Sequence, residues 1–165
     1  MSVVASTAGV EATRGLAGAL ASRARPGDLV LLAGELGAGK TAFAQGFARG
    51  LGVEEPVTSP TFTLVRTYEG GRLPLHHIDV YRLDRLQEAI DLGLPEMLDS
   101  AAVTLIEWGD VVAPALPSDF LEVRLAYGDE PEQRRLALHA QGPEWKARRP
   151  ELEAAVAPWG GPPPC

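Results

Sequence analysis

Apolar residues follow two periodicities along the chain, one typical of buried strands and one typical of helices. The apolar run at residues 29–33 predicts a buried strand. After it, Phe43, Phe47 and Leu51 recur at the i, i+4 and i+8 spacing of one helix face. A second apolar run, at residues 102–106, predicts a central strand that is buried on both faces. The pattern therefore indicates an α/β core.

Shorter elements are predicted around this core. Residues 2–5 predict an edge strand, and Thr7 is a candidate N-cap for a helix that continues to about residue 25. Residues 63–68 and 73–80 predict the two strands of a hairpin, and a short helix over residues 84–91 follows them.

The second half of the chain predicts another hairpin and a helix. Residues 120–126 and 134–140 alternate apolar and polar side chains, which is typical of two antiparallel strands. Residues 144–156 predict a helix, and the end of the chain at residues 160–164 is too rich in Gly and Pro to pack. We therefore predict one α/β domain over residues 1–142, and a C-terminal helix and tail over residues 143–165.

A glycine-rich segment lies between the first buried strand and its helix, and it reads G-x-x-x-x-G-K-T. Its glycines let the backbone turn tightly and aim successive N–H groups at a phosphate. In this motif Lys40 compensates the charge of the β- and γ-phosphates, and the hydroxyl of Thr41 suits Mg²⁺. The N-terminus of the following helix adds its own attraction for anions. The predicted nucleotide-binding residues of the loop are Glu35, Leu36, Gly37, Ala38, Gly39, Lys40 and Thr41.

Strand, glycine loop and helix in this order predict a P-loop NTPase-like fold. We expect three layers around a mixed sheet of about seven strands that includes an antiparallel hairpin. Guanine recognition of the usual kind is excluded, because it needs the motif N-K-x-D and the chain contains no Asn.

Two carboxylates at the ends of predicted strands are candidates for catalysis. Asp79 closes the strand over residues 73–80 and is the candidate metal-side carboxylate, with a cap of the next turn as the alternative. Glu107 follows the run at residues 102–106, and strand ends of this kind face the ligand in open α/β sheets. It is a candidate to orient or activate an attacking water, with a turn carboxylate as the alternative. Trp108 is a candidate nucleotide or partner contact, with a core position as the alternative.

A hydroxyl-rich loop and a histidine are further candidates. Thr58, Ser59 and Thr61 lie in the first long loop after the P-loop helix. Such a loop orders around the γ-phosphate and Mg²⁺ in phosphate-switched proteins, and the alternative is a plain polar connection. His77 shares a strand face with Asp79 by the period of two. We interpret it as a strand histidine, because no third ligand of matching spacing completes a metal site.

Composition restricts the location and the partners. The net charge of −7 argues against a broad nucleic-acid footprint, which normally shows as a basic patch. The single cysteine, Cys165, excludes a disulfide within the chain and favours a reducing compartment. No apolar stretch approaches the roughly 20 residues needed to span a bilayer, and no signal-peptide pattern is present. We therefore expect a cytoplasmic protein.

Four blocks of residues, in this order and spacing, resemble the bacterial TsaE (YjeE) family. They are G-E-L-G-A-G-K-T at residues 34–41, S-P-T-F at residues 59–62, H-I-D-V-Y-R at residues 77–82 and I-E-W at residues 106–108. The resemblance implies a small P-loop ATPase that uses ATP and Mg²⁺. It also implies work with the TsaB and TsaD proteins in forming N6-threonylcarbamoyladenosine at position 37 of tRNAs. If those partners contact the tRNA, the acidic charge of this chain agrees with an RNA pathway.

The resemblance also assigns residues to roles. It implies Lys40 on phosphate, Thr41 on Mg²⁺ and Asp79 as a metal-side acid. Glu107 and Trp108 are implied to be functionally important near the site. The expected catalytic residues are thus Lys40, Asp79 and Glu107, and the expected Mg²⁺ ligands are Thr41, Asp79 and Glu107. The S-P-T-F loop would be the switch-like element.

Two other functions stay open on the sequence alone. A small-molecule kinase shares the phosphate-binding loop, although no compact Arg-bearing lid insertion is visible in this chain. A nucleotide-gated binding module with negligible turnover also shares it. Phosphate release from ATP separates these functions from the ATPase.

Overall fold

The computed structural model describes residues 2–35, 37–58, 65–79, 93–98, 100–107 and 116–160. The strands are β1 Val3–Thr7, β2 Leu29–Gly34, β3 Val65–Tyr68, β4 Leu75–Asp79, β5 Val103–Glu107, β6 Phe120–Tyr127 and β7 Arg134–Gln141. The helices are α1 Val10–Ala21, α2 Lys40–Leu51, α3 Leu94–Leu98, α4 Pro143–Ala147 and α5 Arg149–Val156, with a 3₁₀ helix at Ala157–Trp159. None of the helices in these ranges is long and apolar enough to cross a membrane. The helix predicted over residues 84–91 lies outside the described residues.

The strands form one mixed sheet of seven, in the order β1-β7-β6-β2-β5-β4-β3. β6, β2, β5 and β4 run parallel, whereas β3, β7 and β1 each pair antiparallel with a neighbour. All five residues of β5 are buried, since it lies between β2 and β4 and is apolar on both faces. The predicted α/β fold, its mixed sheet and its central strand are confirmed. Both predicted hairpins are present as well, as β3–β4 and β6–β7.

Alternation along the strands divides the core into two clusters, one on each face of the sheet. The larger cluster buries one face of β2, β5 and β4 against the helices α1, α2, α4 and α5. Among its members are Leu32, Leu75, Leu105, Phe43 and Leu152. The smaller cluster contains Leu31, Ile78 and Ile106, and Met97 and Leu98 of α3 pack against it. Helices therefore lie on both faces of the sheet.

Helices α1 and α2 contact each other through glycines. A Cβ atom added to Gly46 would lie 2.2 Å from the carbonyl oxygen of Arg14, and one added to Gly50 would lie 2.6 Å from that of Gly18. The backbones are thus too close for any side chain at these positions. This contact fixes α2, and hence its first turn, against α1.

The predicted cap at Thr7 is wrong. Thr7 is the last residue of β1 and pairs with Arg134 of β7, and α1 begins at Val10 with Gly9 as its N-cap. The helix also ends at Ala21, before residue 25. Sheet pairing outcompeted capping because β7 continues the ladder beyond Ala5. The Thr7 hydroxyl instead hydrogen-bonds the Thr13 hydroxyl at 2.7 Å, which ties β1 to α1.

The helix predicted over residues 144–156 is interrupted. The structure has α4 and α5 instead, separated at Arg148, with Pro150 in the first turn of α5. Proline lacks an N–H and disfavours a helical residue before it, so it starts a new helix more readily than it continues one. Both helices pack on the larger cluster, through Trp145 and Val156 among others. The division of the chain at residue 142 stays a prediction.

Candidate functional site

The glycine loop connects β2 to α2 with a backbone that other residues do not readily adopt. Gly34, Gly37 and Gly39 have φ angles of 143°, 83° and 110°. Gly34 also lies against β6, since an added Cβ atom would be 2.3 Å from the carbonyl oxygen of Leu125. The Ala38 N–H donates to the Glu35 carbonyl at 3.0 Å and closes the turn. The glycines of the motif are therefore required by the shape of the loop.

The loop ends at the N-terminus of α2. Gly39 is the N-cap of this helix, and in the described part of the chain no side chain caps it. The first intrahelical bond there runs from the Phe43 N–H to the Gly39 carbonyl at 2.9 Å. The N–H groups before Phe43 have no partner along the helix, and they carry the positive end of its dipole. An anion is well suited to this position.

Lys40 is folded back over the loop. Its ammonium donates to the carbonyl oxygens of Gly34 at 2.7 Å and Glu35 at 3.0 Å, and the residue is only 6% exposed. The positive charge therefore lies inside the curve of the loop, beside the helix N-terminus. Lys40 and Thr41 are the first two residues of α2.

The structure brings Asp79 and Glu107 together at the C-terminal ends of two neighbouring parallel strands. They are paired residues of the parallel strands β4 and β5, and Glu107 pairs in turn with Leu32 of β2. Gly34, where the loop starts, is two residues beyond Leu32. Alternation places both carboxylates on the face that carries α2. Asp79 is 6% exposed and Glu107 is 3% exposed, so two acidic residues lie buried next to the loop.

A histidine contacts Glu107 directly. The Nε2 atom of His77 is 2.6 Å from Oε2 of Glu107, and the His77 side chain is fully buried. Its predicted position, on the same strand face as Asp79, agrees with the alternation along β4. The contact with Glu107 was missed by sequence reasoning. The sequence places both residues near the ends of strands, but it does not show that these strands are direct neighbours.

Tyr127 and Arg134 border the loop on the side of β6, and the sequence did not single them out. The Tyr127 hydroxyl would be 2.7 Å from a Cβ atom added to Gly37, so its ring lies beside the loop. The ring is partly exposed, and the Arg134 guanidinium lies over it at 4.5 Å from the ring centroid. This aromatic and cationic border adds to the positive character of the site.

The oxygen donors near the loop are of the type that hard cations prefer. Within the described residues, no group of three His, Cys, Asp or Glu side chains is arranged to hold a metal by itself. Mg²⁺ commonly uses only one or two carboxylates and takes its remaining ligands from phosphate and water. Thr41, Asp79 and Glu107 supply oxygen donors of that kind. Leu36, Trp108 and the S-P-T-F loop lie outside the described residues.

Comparison with known proteins agrees with this geometry. The family model described as "Threonylcarbamoyl adenosine biosynthesis protein TsaE" matches residues 7–136. A tRNA threonylcarbamoyladenosine biosynthesis protein TsaE from Bacillus subtilis (strain 168) is 40% identical over 146 residues, which are 88% of this chain and 90% of the relative. The protein of the same name from Streptomyces coelicolor is 43% identical over 132 residues, 76% of this chain and 88% of the relative.

A solved structure is similar to this chain over nearly its whole length. The crystal structure of Bacillus subtilis YdiB superposes with a TM-score of 0.82 at 34% identity, and the match covers 93% of this chain and 95% of that one. The family match spans most of the chain, including β2, the glycine loop, Asp79 and Glu107. This chain belongs to the TsaE family of threonylcarbamoyl adenosine biosynthesis proteins.

Proposed function

We propose that this chain binds ATP and hydrolyses it with Mg²⁺, as an accessory protein in forming N6-threonylcarbamoyladenosine at position 37 of tRNA. Membership of the TsaE family supports the pathway. One observation carries the ATPase activity. A glycine loop with a lysine inside it leads into a helix that no described side chain caps, and two buried carboxylates lie at the same ends of the parallel strands. That combination suits a nucleoside triphosphate, because it offers donors to the phosphates and acids to the metal side.

In this proposal the loop and Lys40 bind the β- and γ-phosphates. Lys40 would exchange its bonds to the Gly34 and Glu35 carbonyls for bonds to phosphate oxygens, with little movement of the buried side chain. Thr41 and Asp79 would hold Mg²⁺, which neutralises charge on the phosphates when it is bound. Glu107 would orient or activate the attacking water as a general base.

Partners and location belong to the same proposal. We infer that TsaB and TsaD are the partners, and that they make the main contacts with the tRNA. The net charge of −7 supports this division, because a protein that held tRNA alone would need a basic surface. Tight, salt-sensitive binding of tRNA by the isolated chain would contradict it. The single cysteine supports a reducing cytoplasm as the location.

The test is phosphate release, measured first with ATP alone, then with TsaB and TsaD, and then with a panel of nucleosides as acceptors. We expect slow Mg²⁺-dependent release from ATP that rises with the partners and does not depend on any acceptor. Transfer of the phosphoryl group to a small acceptor would instead identify a kinase. Nucleotide binding without turnover under every condition would identify a binding module.

A further inference from the structure

His77 is a buried polar residue that the proposed reaction does not use. Its side chain is fully buried on β4, and its only hydrogen bond within the described residues joins Nε2 to Oε2 of Glu107 at 2.6 Å. On the side away from the loop its neighbours on this face are apolar, with Leu75 on β4 and Leu105 on β5, whereas Asp79 and Glu107 follow toward the loop. A leucine at position 77 would continue that pattern. The strand therefore has a histidine where packing alone favours an apolar residue.

The direction of the hydrogen bond follows from the chemistry of the two groups. An ionised carboxylate only accepts hydrogen bonds, so with Glu107 in that form the proton in this bond is on Nε2 of His77. The other ring nitrogen, Nδ1, is buried and has no hydrogen-bond partner among the residues that the structure describes. Burying an unpaired polar atom is unfavourable. The ring is thus retained at a cost in stability, and its hydrogen bond among the described residues is with Glu107.

A glutamate needs such a partner if its carboxylate is to act in one orientation. The terminal torsion of Glu is broad, so a carboxylate at a strand end does not choose a direction by itself. The bond from His77 holds Oε2 beside β4 and leaves Oε1 outside that bond. We propose that His77 is a positioning residue, which holds the Glu107 carboxylate in the orientation needed to act on the attacking water. This inference rests on the ATPase activity proposed above.

The test replaces His77 by two residues that differ in one property. His77→Leu fills the space without a donor, and His77→Gln keeps an N–H near the position of Nε2. We expect His77→Leu to lower kcat for ATP hydrolysis by about 10- to 100-fold, since small displacements of catalytic groups have effects of this size. The KM for ATP and the affinity for a non-hydrolysable ATP analogue should change by less than about threefold, since Glu107 is not required to bind phosphate. His77→Gln should recover most of kcat.

Two controls separate positioning from a structural role. His76→Leu changes the neighbouring histidine, which is half-exposed on the other face of β4 and bonds Thr67, and it should leave kcat unchanged. The second control is a double-mutant cycle. In a Glu107→Ala background, adding His77→Leu should lower kcat by less than about twofold, because the residue through which His77 acts is absent. If His77 had only a structural role, His77→Leu would lower kcat in both backgrounds.

A measurement on the unsubstituted protein keeps the inference testable if His77→Leu does not fold. Long-range ¹H–¹⁵N NMR of the histidine rings should show His77 protonated at Nε2, with a downfield proton that is lost in Glu107→Ala. A proton on Nδ1 alone would overturn the inference. Equal kcat values for the folded Leu and Gln variants would overturn it too, as would a parallel loss of ATP affinity. If the wild-type chain hydrolyses no ATP, the proposed function fails and this inference fails with it. Hydrolysis that is insensitive to His77 refutes the inference alone.

Discussion

Replacing Arg148 by alanine tests how the helices α4 and α5 are fixed to β2. Arg148 lies between α4 and α5, and its side chain is only 8% exposed. Its guanidinium donates to both carboxylate oxygens of Asp28, at 2.8 and 3.0 Å, and to the Arg23 carbonyl at 2.9 Å. It also lies over the Trp145 ring, 3.9 Å from the centroid. Asp28 directly precedes β2, so one side chain joins both segments.

The size of the effect follows from what the substitution leaves behind. Breaking a buried ion pair by removing one partner costs about 3–5 kcal/mol, because the other charge stays buried and unpaired. Asp28 keeps one donor, the Arg25 N–H at 2.9 Å, which places the expected loss near the lower limit. We therefore expect Arg148→Ala to lower the free energy of unfolding by about 3 kcal/mol. For a chain of this length that corresponds to a decrease in Tm of about 6–12 °C.

Urea and thermal denaturation, followed by circular dichroism, measure this loss. Arg135→Ala is the matched control, since Arg135 pairs with Asp129 on the surface, where the two side chains are 57% and 79% exposed. Such an exposed pair contributes about 0–1 kcal/mol. The double variant Arg148→Ala with Asp28→Ala should recover part of the loss, because no buried charge remains unpaired. The reasoning is refuted if Arg148→Ala is no more destabilising than Arg135→Ala.

Four further predictions concern the site and the core. Lys40→Ala should weaken ATP binding by about 100-fold or more in calorimetry, because charge-assisted hydrogen bonds to phosphate are lost; unchanged affinity would remove Lys40 from the phosphate site. Glu107→Ala should slow single-turnover hydrolysis by about 100-fold and spare ATP affinity, as for a general base; equal loss of both would make the residue structural. In urea denaturation, Gly46→Ala should destabilise the fold by about 1–3 kcal/mol, since its Cβ atom would lie 2.2 Å from a backbone oxygen. Gly70→Ala should be neutral, because a Cβ atom there would have no heavy atom within 4 Å apart from its chain neighbours. Burial lowers the pKa of His76 below its ordinary value of 6.5, against the opposing charge of a nearby glutamate. The unfolded chain therefore binds this proton more readily, and the free energy of unfolding should fall as the pH drops below about 6.5. If the free energy of unfolding of a His76→Gln variant falls equally between pH 7.5 and 5.5, the prediction is wrong.

Local pattern predicted the elements that depend on a few neighbouring residues. The strand at β2, the glycine loop and the start of α2 are determined by burial and by backbone conformation, and both are visible in the sequence. The side-by-side position of Asp79 and Glu107 needed one step more, namely that both end parallel strands. The sequence could not show that β4 and β5 are direct neighbours, and so the contact between His77 and Glu107 was missed.

The errors arose where tertiary contacts outweighed a local preference. Thr7 has the side chain of a good N-cap, but pairing with β7 extends β1 through it. The interruption at Arg148 was signalled by Pro150, yet the apolar spacing around it resembled one continuous helix. Packing explains the outcome, because the break lets Trp145 and Leu152 both reach the larger cluster while Arg148 turns toward Asp28.

The two ends of β2 are stabilised in different ways. The contacts that stabilise the fold are therefore separate from those proposed to bind ATP. At its start, the neighbouring Asp28 is held by Arg148, and this contact needs no ligand. At its end, the loop keeps Lys40 on its own carbonyls and presents a helix terminus without a side-chain cap in the described residues. The six residues of β2 place these ends about 20 Å apart, well beyond the screening length of about 8 Å at physiological ionic strength. Folded Arg148→Ala should therefore bind ATP with unchanged affinity. A parallel loss of stability and ATP affinity would show that the conformation of the loop depends on contacts at the opposite end of β2.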